Sequence, residues 1–305
     1  MSHPFNRTSR SISNWAFVHA AAPPEWTAAV EPSHNWGLKN EASKINYETA
    51  EEFCTIHPVT LPKFLDSRLV DQIRAASWHL EEPSSSRFKG HVKNSSNHIF
   101  ITTYSDCEDF SLLSNLPIIA GQYNRNGQYG VYYEVTVNRM DPDAVVALGS
   151  ACRPYPEWRL PGWNRLSAGL HLDDMRKFFE DPNGGRDYTG SQEYLRHLEA
   201  GDTFGFGYEF PSGNIFFTRN GGRLPNAFIG EYLPSRYDDP GYDVYAAIGV
   251  SGRTEVVVNF GVEPFKWKEA NLPQWRVENH VGKLGGSTHS TRDELPAYTS
   301  SSRAP

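Results

Sequence analysis

The chain is poor in cysteine and methionine, with three of each in 305 residues, and it has no excess of positive charge. Cys54, Cys107 and Cys152 are odd in number, far apart and never spaced Cys-x-x-Cys. This argues against a disulfide framework and a zinc cluster, and it leads us to expect a reducing, cytoplasmic compartment. Lys and Arg total 29 against 36 Asp and Glu, a formal net charge of -7, so a nucleic acid is not an expected partner. No apolar run approaches the ~20 residues of a membrane helix. The opening MSHPFNRTSRSISNW lacks the apolar centre of a signal peptide. Neither a transmembrane segment nor a secretory leader is therefore expected. Also missing are the G-x-S-x-G nucleophile elbow, a phosphate-binding loop and an H-E-x-x-H stretch, so we expect no enzyme, no metal and no cofactor.

What is present is packing material and turns. Hydrophobic residues make up 38% and aromatics 13%, and 25 Gly with 21 Pro favour many short strands over long helices. The length suits one large β-rich domain with flanking segments. Residues 1–50 show no sustained period and read as a poorly ordered arm. Leu65, Leu69 and Ile73, with Val70 beside them and Asp66 near the start, predict one amphipathic helix within 61–78. Pro83 and the serines around it end that stretch. From residue 97 the period becomes two: Ile99, Ile101 and Thr103 share one face of a strand, and Val131, Tyr133, Val135 and Val137 share one face of another. The apolar run 144–148, ended by Gly149, reads as a strand covered on both faces. Residues 201–224 predict a three-stranded meander, with Phe204, Phe206, Tyr208 and Phe210 on one face, Gly205 and Gly207 on the other, and Asn220-Gly221 as a tight turn. Two further strands, 244–250 and 254–260, flank Ser251-Gly252. The sum is an all-β antiparallel sandwich of two sheets, preceded by one or two short helices. After Trp267 the periodicity stops, and residues 268–305 read as a flexible tail.

The order of these pieces resembles the SPRY domain, in the branch typified by Ran-binding protein M and by the fungal membrane-anchored SPRY adaptors of HECT-type ubiquitin ligases. The stretches that carry the resemblance are Val131 to Val135, Arg159-Leu160-Pro161-Gly162-Trp163-Asn164, and His171 with Asp173-Asp174. They continue with Gly201-Asp202, Gly205 to Tyr208, Ile215 to Gly221 and Val258-Asn259-Phe260-Gly261. The resemblance implies a concanavalin-like sandwich over 115–267, with 51–114 supplying a helix and lead-in strands. It also implies a protein-binding role in place of catalysis. Leu172 and Met175 stand where the family usually has glycines beside the Asp-Asp pair, which puts that loop's geometry in question. An anchor like that of the fungal adaptors is not evident.

Candidate binding residues cluster in loops, where rigid sandwiches engage partners. Tyr155, Trp158 and Arg159 lie in a segment dense in Pro, Arg and Trp, residue types enriched at binding hot spots. The blander reading is that such tryptophans plug the core, and we prefer it for Trp163. Asp173 and Asp174, and Arg236 and Tyr237 in a second polar excursion, complete the loop candidates. His171 with the two aspartates could suggest a metal or acid–base site. Alternation places Asp174 on the opposite face, however, so structural hydrogen bonding is the preferred reading. Glu134 and Glu209 fall on outward-facing positions and read as solvated. In the tail, Leu295, Pro296 and Tyr298 form an LPxY motif similar to the ligands of WW domains. The expected partners are thus a client protein at the loops and a WW-domain ubiquitin ligase at the tail. A scaffold subunit with no role for the tail, and a lectin-like glycan binder suggested by the sandwich fold alone, are the alternatives.

Overall fold

The computed structural model describes residues 42–279, apart from 64, 96–97, 122, 183, 189–196 and 234–240. Among the described residues, thirteen strands form two antiparallel sheets. The seven-stranded sheet has the order β1 (Gly90–Asn94), β2 (Ile99–Thr103), β13 (Thr254–Asn259), β4 (Gly130–Met140), β9 (Asp202–Glu209), β10 (Asn214–Arg219), β11 (Gly222–Phe228). The six-stranded sheet runs β3 (Phe110–Ile119), β12 (Val244–Ser251), β5 (Val145–Cys152), β6 (Ser167–His171), β7 (Arg176–Phe179), β8 (Arg186–Asp187). One continuous core fills the space between them, with Val131, Tyr133, Val135, Phe204 and Phe206 from one sheet meeting Leu112, Val146, Leu148 and Ile248 from the other. Tyr133 ties the two together: its hydroxyl donates to the Gly149 carbonyl at 2.6 Å and accepts from the Gly149 N–H at 2.9 Å.

The meander forms as its turn chemistry requires. Asn220 and Gly221 both adopt positive φ, 50° and 83°, the pair a tight hairpin between β10 and β11 needs. Gly205 and Gly207 leave room on the outer face of β9, since a Cβ at either would collide with the ring of Tyr132 or Phe216. That outer face is not solvated. Phe265, Trp267 and Trp275 pack over Tyr132 and Phe216, and residues 268–279 continue as three short 3-10 turns, Lys268–Asn271, Pro273–Trp275 and Val277–Asn279. The folded chain thus extends beyond residue 267, where the loss of strand period suggested a flexible tail. A strap of 3-10 turns has no period of two to detect.

Other differences have equally local causes. Gly149 does not end β5, which continues to Cys152. Instead it allows β5 and β6 to approach, because a Cβ there would lie 1.8 Å from the Ala168 carbonyl oxygen. The helix expected within 61–78 is shorter: α2 spans Ser67–Arg74, with Asp66 as its N-cap accepting from Leu69 N at 2.8 Å. A helix that the period did not reveal, α1 (Lys44–Ile56), begins inside the stretch read as an arm, capped by Ser43. Its interior buries only Ala50, so it lacks the apolar stripe that announces a helix. No helix among the described residues is long and apolar enough to cross a membrane.

Candidate interaction site

The loop 153–166 leaves β5, lies over the outer face of the six-stranded sheet and returns as β6. The outward positions of β5 are small, so the loop can seat large side chains on them: Val145, Leu160, Trp163 and Phe178 form one cluster, and Ala151, Tyr155 and Ala247 another. β5 is thereby covered on both faces, as its unbroken apolar run requires.

This covering corrects two of the loop candidates. Arg159 is 1% exposed; its Nε donates to Asn164 Oδ1 at 2.8 Å and its guanidinium stacks 4.4 Å from the Trp163 ring. Tyr155 is buried, its hydroxyl donates to the Leu160 carbonyl at 2.6 Å, and burial pushes the phenol up to about 12. Both side chains hold the loop together, and Arg159 is closed off from the surface. One rim of Tyr155 still lines a groove of about 410 Å³ with Glu81, Arg153 and Glu157. Trp163 is buried, as the core reading had it. Within this loop, Trp158 is a candidate that keeps a surface. It is half-buried, and what covers it is α1: its Nε1 donates to the Asn46 carbonyl at 3.2 Å and Phe53 packs edge-on at 5.6 Å. Asn164 Nδ2 donates to Glu51 Oε1 at 2.7 Å, and the Arg165 guanidinium lies 6.0 Å from the Phe53 ring. Sequence reasoning missed Asn46, Glu51, Phe53 and Arg165. The spacing of Tyr47, Ala50, Phe53 and Cys54 was the available signal, but two of these four are too weakly apolar to stand out.

His171 sits elsewhere. It is buried, stacks on Phe178 with ring centroids 4.1 Å apart, and its Nε2 pairs with the Pro161 carbonyl at 3.0 Å. Because a carbonyl only accepts, Nε2 carries the proton, and burial lowers the pKa to about 4. The ring is a neutral structural donor. Asp173 and Asp174 shape the turn to β7: Asp174 Oδ1 accepts from Arg176 N at 2.9 Å, and the two residues also form an ion pair. In place of the glycine that the resemblance led us to look for, Met175 takes φ 58° and sends its side chain into the core. The loop 153–166 joins β6 at Ser167, whereas the aspartates follow its other end, so the structure does not unite the two candidate groups. Among the described residues no cluster of His, Cys, Asp or Glu could hold a metal ion. Arg236 and Tyr237, like Leu295, Pro296 and Tyr298, lie outside the described residues.

The two outward glutamates are not simply solvated, since both are engaged by neighbours. Glu134 is 4% exposed, and its carboxylate accepts from the Tyr132 hydroxyl at 2.9 Å, Lys266 N at 3.0 Å and Trp267 N at 3.1 Å. It fastens the C-terminal strap to the sheet. Glu209 accepts from Ser212 and Asn214 and pairs with Arg223 at 2.8 Å.

The SPRY domain family profile matches residues 130–263. A SPRY domain-containing protein of Schizosaccharomyces pombe is 30% identical over 84% of this chain and 62% of its own length. The protein named ssh4 of Sclerotinia sclerotiorum is 33% identical over 56% of this chain and 29% of its own. The chain thus spans less than two thirds of the curated relatives it matches. A crystal structure of a human SPRY domain overlies 57% of this chain and 97% of its own, at 22% identity and a TM-score of 0.40.

Proposed function

From the premise that this chain carries a SPRY domain, a protein-binding module, we propose that it is a non-catalytic adaptor that joins a client protein to a ubiquitin ligase. The SPRY match carries the first half of this reading. The client face is the surface around Trp158, where an aromatic ring and the Arg165 guanidinium lie beside a polar rim. The second half is carried by Leu295, Pro296 and Tyr298. A WW domain grips a proline in extended conformation between aromatic rings and takes the tyrosine in an adjoining pocket. The resemblance to the fungal SPRY adaptors, supported by the similarity to the ssh4 proteins, makes a HECT-type ligase the natural owner of that WW domain.

Affinity purification of the full chain, of a Tyr298→Ala variant and of a chain lacking 280–305, which keeps the folded strap, tests both halves, read by mass spectrometry. The adaptor reading expects one set of proteins retained in all three and a WW-domain ligase recovered with the full chain alone. Ligase recovery unchanged by Tyr298→Ala overturns the recruitment half. Recovery of a stable complex in which the tail is immaterial would identify a scaffold subunit.

A further inference from the structure

The contact between α1 and the loop 153–166 is polar, aromatic and incomplete. Within residues 42–57 only Ala42 and Ala50 are buried. A helix that belongs to a core buries an apolar stripe, whereas α1 is held by the Asn46, Glu51 and Phe53 contacts to Asn164 and Trp158. The incompleteness is at Arg165. Its Nε and Nη2 are shut off from water and find no acceptor among the described residues, with Phe53 the ring nearest its guanidinium. The position on α1 next to Phe53 and within reach of the Arg165 charge is Cys54. A thiol is a weak acceptor and cannot satisfy a guanidinium, whose fork is shaped for a carboxylate. The tether also permits exchange. Thr60 is anchored by its N–H and hydroxyl to the Arg153 carbonyl, at 2.9 and 3.1 Å, and only His57, Pro58 and Val59 separate it from the end of α1.

We propose that the face formed by Trp158, Asn164 and Arg165 receives an amphipathic helical segment of a partner protein, that α1 is its resident stand-in, and that the partner segment carries Asp or Glu where α1 carries Cys54. The proposal rests on the reading of this chain as a protein-binding module and specifies the ligand of that module. α1 holds its place through being tethered, since a linked segment enjoys a high effective concentration. A partner must therefore supply a contact that α1 lacks, and the carboxylate on Arg165 is that contact.

The test uses the full chain and two labelled synthetic peptides, residues 42–57 unaltered and the same peptide with Cys54→Asp, titrated by fluorescence anisotropy under reducing conditions. Ala50→Asp in the full chain puts a charge at the buried position of α1 and lifts the helix. The Ala50→Asp chain is expected to bind the Cys54→Asp peptide at least tenfold more tightly than the unaltered one, while the parent chain binds both far more weakly. Adding Arg165→Ala should erase the tenfold preference. Equal binding of the two peptides, or no binding by a folded Ala50→Asp chain, overturns the proposal. Should Ala50→Asp fail to fold, Cys54→Asp in the otherwise unaltered chain decides. Amide exchange across 46–56 should then slow at least fivefold, an effect that Arg165→Ala removes, and unchanged exchange overturns the proposal. Either failure would remove the Trp158 face as the receiver of a helical segment but leave the joining of a client to a ligase untouched, which falls only by the affinity-purification experiment.

Discussion

Glu134 shows how far a side chain's role depends on what lies over it. Alternation along β4 places it outward correctly, but a sheet face is solvated only if nothing covers it, and here the strap from Phe265 onward does. Glu134→Ala would leave the buried Trp267 N–H, and the partly buried Lys266 N–H, without an acceptor. It should destabilise the protein by about 3 kcal/mol, with Glu134→Gln losing less, as read by urea denaturation. His171 carries a different signature. Burial lowers its pKa from 6.5 to about 4, so between those values the unfolded chain binds a proton that the folded chain refuses. Its contribution is complete above pH 6.5 and is lost as the pH falls toward 4, by up to about 3 kcal/mol. Denaturant titrations at a series of pH values should show that slope, and His171→Gln should flatten it.

At the scale of elements, β5 and α1 are opposite cases. β5 reads directly from its apolar run, but the reason for Gly149 is visible only in the pair it makes with β6, where Gly149 faces Gly169. Gly149→Ala would drive a methyl group into the Ala168 carbonyl and force the two strands apart. We expect a loss of more than ~3 kcal/mol and poor recovery of folded protein, checked by expression yield and thermal unfolding. α1 left almost no trace in the sequence, because its contacts are made by Asn46, Glu51 and Phe53 to residues more than a hundred positions away. The meander β9–β11 is legible throughout, since its information is local: aromatics alternating with glycine, then Asn220-Gly221 at the turn.

At the scale of the molecule, the strap covers the outer face of the seven-stranded sheet around Tyr132 and Phe216. A chain ending after residue 279 should therefore unfold at a clearly higher temperature than one ending after residue 264. The shorter chain exposes Tyr132 and Phe216 and loses both N–H groups that Glu134 accepts, a difference that differential scanning calorimetry would register. By itself the sequence determined the all-β class, the strand faces and the hairpin centre. These follow from a side-chain period of two and from turn dipeptides, properties of neighbours along the chain. Tertiary structure alone decided that Tyr155 and Arg159 belong to the interior, that Trp158 lies under a helix, and that the strap covers Glu134. Those outcomes depend on which distant segment lies over a surface, and the chain's local pattern does not encode it.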